Sequence, residues 1–217
     1  MNDIIYKLSS LKIKDEIKSV TMLQRLWRGY RVRRYNQQMK DNMTGSIVKT
    51  LLDNYIKNLL FIDDVNKMLS KKKCRNENFP SHISENIAKF AIYKKYKHMP
   101  SWDTPKGDLI LRNKIIEVKG FMSSGPTSFG PNEKWDWIYF VDGTECNFYQ
   151  FKVYEIKLSN TNSIWRNINL SSKETYGQIA DANQRGKLRA CFYSKIKPQI
   201  ESHCVLIFNG HFDELII

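Results

Sequence analysis

Cysteine is scarce and scattered in this chain. The four, Cys74, Cys146, Cys191 and Cys204, form no C-x-x-C pair, which excludes the common zinc-site spacing. Scattered cysteines without a secretory leader fit a reducing compartment. Paired histidines are lacking too. His82, His98, His203 and His211 show no ligand spacing and read as surface or hydrogen-bonded side chains. No run approaches the ~20 apolar residues of a membrane span. The first residues, Met1 to Lys7, hold no long apolar stretch of the secretory kind. The expectation is an intracellular, cytoplasmic protein with no membrane partner. Internal repeats are absent as well, which excludes a solenoid or propeller.

Acid is also in short supply. Asp and Glu number 22 against 35 Lys and Arg, a formal net charge of +13. The deficit is uneven: residues 1–75 hold 17 basic and 7 acidic side chains, residues 76–217 hold 18 and 15. Such an excess is the electrostatic footprint of a polyanion partner, nucleic acid being the commonest. Hydrophobic residues are 41% of the chain, enough for a packed core and too many for wholesale disorder. The length of 217 residues fits one domain with an appendage. The division expected is a basic helical extension over 1–73 and a catalytic domain over 74–217.

Within the extension, Leu8, Leu11, Ile13, Ile17, Val20, Leu23, Leu26 and Tyr30 recur at steps of three and four, which predicts a helix over 3–40. A second helix, capped by Thr44 or Ser46, is predicted to run to about Leu69, with Ile47, Leu51, Leu52, Tyr55, Leu59, Leu60 and Val65 as its buried side. In the catalytic part, Ser81 or Ser84 opens a helix that carries Glu85 and turns Ile87, Phe90, Ala91 and Tyr93 inward. Strands are expected over Trp135–Val141, Phe148–Leu158 and Cys204–Phe208. Mixed strands with flanking helices predict an α/β sandwich.

The most informative stretch is Asp108-Leu-Ile-Leu-Arg-Asn-Lys-Ile-Ile-Glu117-Val-Lys119. It reads as two short strands joined by a tight polar turn at Arg112-Asn113-Lys114. Side chains alternate along a strand, so Glu117 and Lys119 share one face and Ile116 and Val118 turn to the other, into a core. A hairpin bends Asp108 back towards the polar pair. Two carboxylates and an amine beside an apolar sheet are what a magnesium-dependent phosphodiesterase needs. Asp103, Asp136 and Asp142 compete as acids and read as structural, Asp136 pairing with Lys134 or a neighbour.

An Asp followed by Glu-x-Lys on the next strand resembles the PD-(D/E)XK nuclease core, the fold of most type II restriction endonucleases. The flanks sharpen the likeness: Phe79-Pro-Ser-His-Ile-Ser-Glu85 and Ser101-Trp-Asp-Thr-Pro-Lys-Gly107 before it, Gly125-Pro-Thr-Ser-Phe-Gly-Pro131 and Glu133-Lys-Trp-Asp-Trp-Ile-Tyr-Phe-Val-Asp142 after it. The resemblance is good from Phe79 to Asp142, weaker towards the C-terminus, and does not extend before Lys71. It implies a restriction-endonuclease-like mixed sheet flanked by helices, with Mg²⁺ held by Asp108 and Glu117. Glu85 would be the additional metal-binding and catalytic acid some members carry on the preceding helix, and Lys119 the catalytic lysine. It implies sequence-specific hydrolysis of double-stranded DNA by a homodimer, whose two-fold symmetry matches palindromic sites. A structure-specific repair or junction nuclease on the same core is the alternative.

Base readout must come from elsewhere, because phosphate contacts carry no sequence information. Two segments offer the chemistry. The loop after the catalytic strand presents Ser123, Ser124, Thr127 and Ser128, with Gly and Pro allowing close backbone approach. The stretch Tyr176–Arg189 holds Gln178, Asn183, Gln184 and Arg185, side chains suited to adenine and guanine edges, with Lys187 and Arg189 suited to phosphates.

The extension adds a second resemblance. Leu23-Gln24-Arg25-Leu26-Trp27-Arg28-Gly29-Tyr30-Arg31-Val32-Arg33 is similar to an IQ motif, a basic amphipathic helix with an aromatic anchor that docks into a methionine-lined groove. It implies a calmodulin-like partner at residues 20–36, and a rival function as a binding protein acting through this helix. Asn36 stands where the motif carries a hydrophobic residue.

Overall fold

The computed structural model describes residues 44–68, 78–102, 108–124, 127–130, 133–171, 173–182 and 189–216. The predicted helix over 3–40, the IQ-like run and Asp103 lie outside these residues. By its contacts the chain divides between Asn42 and Met43, and every described residue belongs to the unit from Met43 onwards.

Six strands form one sheet in the order β1 (Ser101–Trp102), β2 (Leu109–Leu111), β3 (Lys114–Phe121), β5 (Trp137–Asp142), β6 (Gln150–Ile156) and β8 (Cys204–His211). Every neighbouring pair is antiparallel except β3 and β5, which run parallel. A separate two-stranded ribbon pairs β4 (Thr127–Ser128) with β7 (Arg189–Ala190). The helices are α1 (Gly45–Met68), α2 (Ser81–Tyr96), α3 (Ser163–Arg166) and α4 (Tyr176–Asp181).

The hairpin between β2 and β3 follows from its turn. Arg112 and Asn113 both have positive φ, 50° and 64°, the two-residue geometry that matches strand twist and that asparagine tolerates. Lys114 belongs to the strand, paired with Leu111, so the turn is one residue tighter than the sequence suggests.

Both faces of β3 are covered. Glu117, Lys119 and Phe121 lie beside Ile138, Phe140 and Asp142 in the parallel register, and so share their face. On that face an aromatic core gathers Phe121, Phe129, Trp135, Phe140, Tyr154, Trp165, Tyr176 and Phe192. Phe129 alone meets Trp135, Phe140, Trp165 and Tyr176 within 6.3 Å. Each such side chain contributes about 1.5–3 kcal/mol by leaving water. On the other face, Ile116, Val118, Tyr139, Val141, Phe151 and Val153 are buried, with α2 packed against them. Gly120 permits the close approach: a Cβ there would lie 2.5 Å from the Ser84 Cβ. Ile116 and Val118 thus enter a core as predicted, but the polar pair faces a second core rather than open water.

Helix α1 joins this unit. Tyr55 meets Phe79, the Tyr149 hydroxyl donates to Asp53 at 2.9 Å, and Lys49 pairs with Asp213 at 2.5 Å. From sequence alone this helix falls with the N-terminal extension. Its buried stripe is Val48, Leu52, Tyr55, Ile56 and Leu59, so the helix is rotated by about one residue from the predicted side, and Leu60 is exposed. Runs of adjacent apolar residues such as Ile47-Val48, Leu51-Leu52 and Leu59-Leu60 leave that rotation ambiguous. No helix among the described residues is long and apolar enough to cross a membrane.

Candidate active site

The hairpin builds the site. Continuing the β2–β3 register by one residue sets Asp108 opposite Glu117. The Asp108 N–H donates to the Ile116 carbonyl at 3.1 Å, and its Oδ2 accepts the Val118 N–H at 2.8 Å. Two backbone bonds therefore fix this carboxylate on the neighbouring strand. Lys119 Nζ lies 2.5 Å from Glu117 Oε1 and 3.1 Å from Glu133 Oε2. It also sits 5.7 Å from the centroid of the Phe129 ring.

Burial and like charge dominate the electrostatics. Burial first, then the Glu117 and Glu85 carboxylates, push Asp108 from its ordinary 3.8 up to about 8, against the Val118 N–H and the Lys119 charge. Burial raises Glu117 too, with Lys119 pulling against it and Glu133 and Glu85 adding to it. Burial works against the Lys119 charge, but Glu117 and Glu133 outweigh it and hold the ammonium above its ordinary range. Desolvation and neighbouring charge together perturb all three groups, a pattern common to functional clusters and to structural ion-pair networks.

Glu85 is the fifth residue of α2, just past its first turn, 4% exposed and near enough for its charge to reach Asp108 and Glu117. Among the described residues, no three His, Cys, Asp or Glu are grouped so as to hold an ion by themselves. The donor set is therefore a pair of carboxylates with a third charge nearby. Such a pair suits magnesium, which takes one or two carboxylates and keeps its remaining waters.

The remaining acids have structural partners. Asp136 accepts the Ile115 N–H at 2.9 Å and pairs with Lys114 at 4.0 Å, rather than with Lys134. Asp142 accepts the Thr144 hydroxyl at 2.7 Å and a short bond from the Tyr193 hydroxyl. Glu133 was not among the predicted site residues. It arrives from the segment before β5, and its only sequence signal is its place in the flank that ends at Asp142.

The two segments expected to meet DNA touch each other. Thr127 pairs with Ala190 and Ser128 with Arg189 across the β4–β7 ribbon. Ser123, Ser124, Ser128 and Arg189 are exposed. Thr127 is buried, and its hydroxyl donates to the Ala190 carbonyl at 3.1 Å, so that group holds the ribbon together. The Gln178 amide oxygen accepts the Thr175 N–H at 2.9 Å and closes a capping box at the start of α4. Its amide is thereby engaged in the helix cap. Asn183, Gln184, Arg185 and Lys187 lie outside the described residues.

A mixed sheet flanked by helices, with one buried acid, one half-buried acid and a lysine on one hairpin, defines a restriction-endonuclease-like α/β protein. The chain belongs to the Bsp6I restriction endonuclease family, whose model matches residues 47–195. That span starts within α1, consistent with the packing of this helix on the sheet. A second match, to the IQ calmodulin-binding motif, covers residues 17–35 and includes the Leu23–Arg33 run. Comparison with curated proteins gives no match, and neither does comparison with solved structures.

Proposed function

We propose that this protein is a site-specific type II deoxyribonuclease on the PD-(D/E)XK core, hydrolysing phosphodiester bonds in double-stranded DNA with Mg²⁺. The observation that carries the reading is the convergence of Asp108, Glu117 and Lys119 on one buried hairpin face. Asp108 and Glu117 would hold the ion, with Glu85 adding negative charge behind them. The chemistry Mg²⁺ supplies when bound is neutralisation at the scissile phosphate and acidification of water.

The chain's own groups do the rest. Asp108 would serve as a ligand in its ionised form, since hard cations bind the carboxylate. Lys119 orients the attacking water and opposes the negative charge that grows on the phosphate oxygens. The low-polarity wall made by Phe129 and its neighbours strengthens that attraction relative to bulk water. Ser123, Ser124, Ser128 and Arg189 are exposed and would meet DNA, and Asn183, Gln184, Arg185 and Lys187 offer side-chain chemistry suited to base edges and phosphates. A homodimer would present this edge twice, matching a palindromic site.

The test is digestion of plasmid DNA with and without Mg²⁺, beside Lys119→Ala, with sequencing of the ends. Discrete Mg²⁺-dependent ends, absent in the variant, are expected, with DNA binding retained. Wild-type cutting rates in Lys119→Ala would refute the assignment. A smear without fixed ends would favour a structure-directed repair or junction nuclease on the same core. The IQ match supports a second, separate role, in which residues 20–36 dock a calmodulin-like partner. A peptide of residues 15–40 that fails to bind calmodulin with or without Ca²⁺ would remove that role.

A further inference from the structure

Lys119 has two anionic partners, and they are held in different ways. Glu117 lies two residues away on the same strand. Glu133 reaches across from the segment before β5, and its Oε2, 3.1 Å from Lys119 Nζ, is shut off from solvent. The backbone around Glu133 is tied down. Its N–H donates to the Gly130 carbonyl at 3.2 Å, and its carbonyl accepts from Asn160 Nδ2 at 3.0 Å. Asn160 Oδ1 in turn accepts the Trp135 N–H at 3.3 Å, and Trp135 Nε1 donates to the Leu158 carbonyl at 3.2 Å. A Cβ on Gly130 would lie 3.0 Å from the Glu133 Cγ and Oε1, so a larger residue there would displace that arm by a few tenths of an ångström.

This arrangement answers a problem of the catalytic cluster. A carboxylate that ligates a divalent cation has given most of its negative potential to the ion. Glu117, once so engaged, is a weak anchor for a neighbouring ammonium. A lysine head on a four-carbon stem with rotatable bonds then has nothing to fix its direction. Glu133 is ion-paired with the ammonium, and its backbone is held by Gly130 within its own stretch and by Asn160 beyond β6. We propose that Glu133 is the positioning residue for Lys119, keeping the ammonium aimed into the site while Glu117 serves the ion. The inference rests on the nuclease reading of Asp108, Glu117 and Lys119. The segment that supplies Glu133 also supplies the Phe129 ring beside Lys119, so one stretch of chain determines both direction and seat.

The experiment compares full-length wild type, Glu133→Gln and Glu133→Asp on supercoiled plasmid, with Mg²⁺ titrated. In parallel, labelling of Lys119 by an amine-reactive ester is followed by peptide mass spectrometry. Glu133→Gln should lower kcat by about 10- to 100-fold, as loss of an orienting partner usually does, with KM for DNA and the half-saturating Mg²⁺ each within about twofold. Glu133→Asp, which keeps the charge, should recover part of kcat. Labelling of Lys119 should be several-fold faster in Glu133→Gln than in wild type, at an unchanged melting temperature. A Glu133→Gln enzyme as fast as wild type would overturn the role of Glu133 alone. So would a shift in half-saturating Mg²⁺ that accounts for the whole loss, which would make Glu133 a ligand. Unchanged Lys119 labelling would overturn it without reference to cleavage. Wild-type protein that cuts no DNA at any Mg²⁺ concentration would instead overturn the nuclease reading, and the proposal with it.

Discussion

Replacing Asp108 by asparagine should make the metal-free protein more stable at pH 8. In the folded state, burial and the Glu117 and Glu85 charges push this carboxyl from 3.8 to about 8. The unfolded chain releases its proton near the ordinary value, while the folded chain keeps it until about 8. Between those limits the folded state binds more protons than the unfolded one. The group's stabilising contribution is therefore complete below the ordinary value and is lost progressively as pH rises towards 8. Four powers of ten in proton affinity, at about 1.4 kcal/mol each, set a ceiling of about 5–6 kcal/mol. Relaxation and water entry reduce this, and about 1–3 kcal/mol is the expected size. Asparagine carries no charge to desolvate, and its Oδ1 can still accept the Val118 N–H. For a domain of this size, 1 kcal/mol moves Tm by about 2–4 °C, so the variant should melt about 3–10 °C higher at pH 8. The assay is thermal unfolding in EDTA at pH 5.5 and pH 8. Wild type should lose stability between the two conditions and the variant much less. A variant that melts at or below wild type at pH 8 would show that the site is not strained by its own charge.

Adding Mg²⁺ should raise the wild-type Tm more at pH 8 than at pH 6, because at lower pH the ion must first displace the Asp108 proton. Neither Asp108→Asn nor Glu117→Gln should show that rise, and equal shifts in all three proteins would refute a shared site. Gly120→Ala should cost about 1–3 kcal/mol, since its methyl would overlap Ser84 and push α2 from the sheet; urea denaturation measures it. Gln178→Ala should cost about 0.5–1 kcal/mol through loss of the capping box, read in the same assay. Unchanged stability combined with altered cleavage-site preference would return Gln178 to a base-reading role.

The hairpin of the candidate site was legible because every part of it is local. Period-two alternation places Glu117 with Lys119, and an Arg-Asn turn reverses the chain so that Asp108 meets them. Neither inference needs knowledge of the rest of the fold. The order of Glu85, Asp108 and Glu117 comes from the resemblance, and the family match spans the stretch that holds them. Glu133 was not, since it meets Lys119 through a crossover between parallel strands, and no spacing rule predicts that approach. Thr127 and Gln178 show backbone roles that residue chemistry alone conceals. Residue chemistry alone suggests hydroxyl and amide groups for DNA, but a hydroxyl opposite a carbonyl, or a glutamine three residues after a threonine, satisfies the backbone first. The rotation of α1 escaped for a third reason: paired apolar residues fit two adjacent faces equally well, and only packing on Phe79 selects one.

The parallel pairing of β3 with β5 has a consequence for how such a protein diversifies. Two antiparallel neighbours can be joined by a tight turn, which leaves no room for novelty. Parallel neighbours oblige the chain to travel back along the sheet before pairing again. That return journey here runs from Met122 to Asp136, and it can lengthen, shorten or change composition while the six-strand register stays intact. Because the same traveller brushes the lysine at one point and the ribbon at another, substitutions along it can retune target choice and turnover together. A lineage under pressure to recognise new sites would find its raw material there, with the hairpin left untouched.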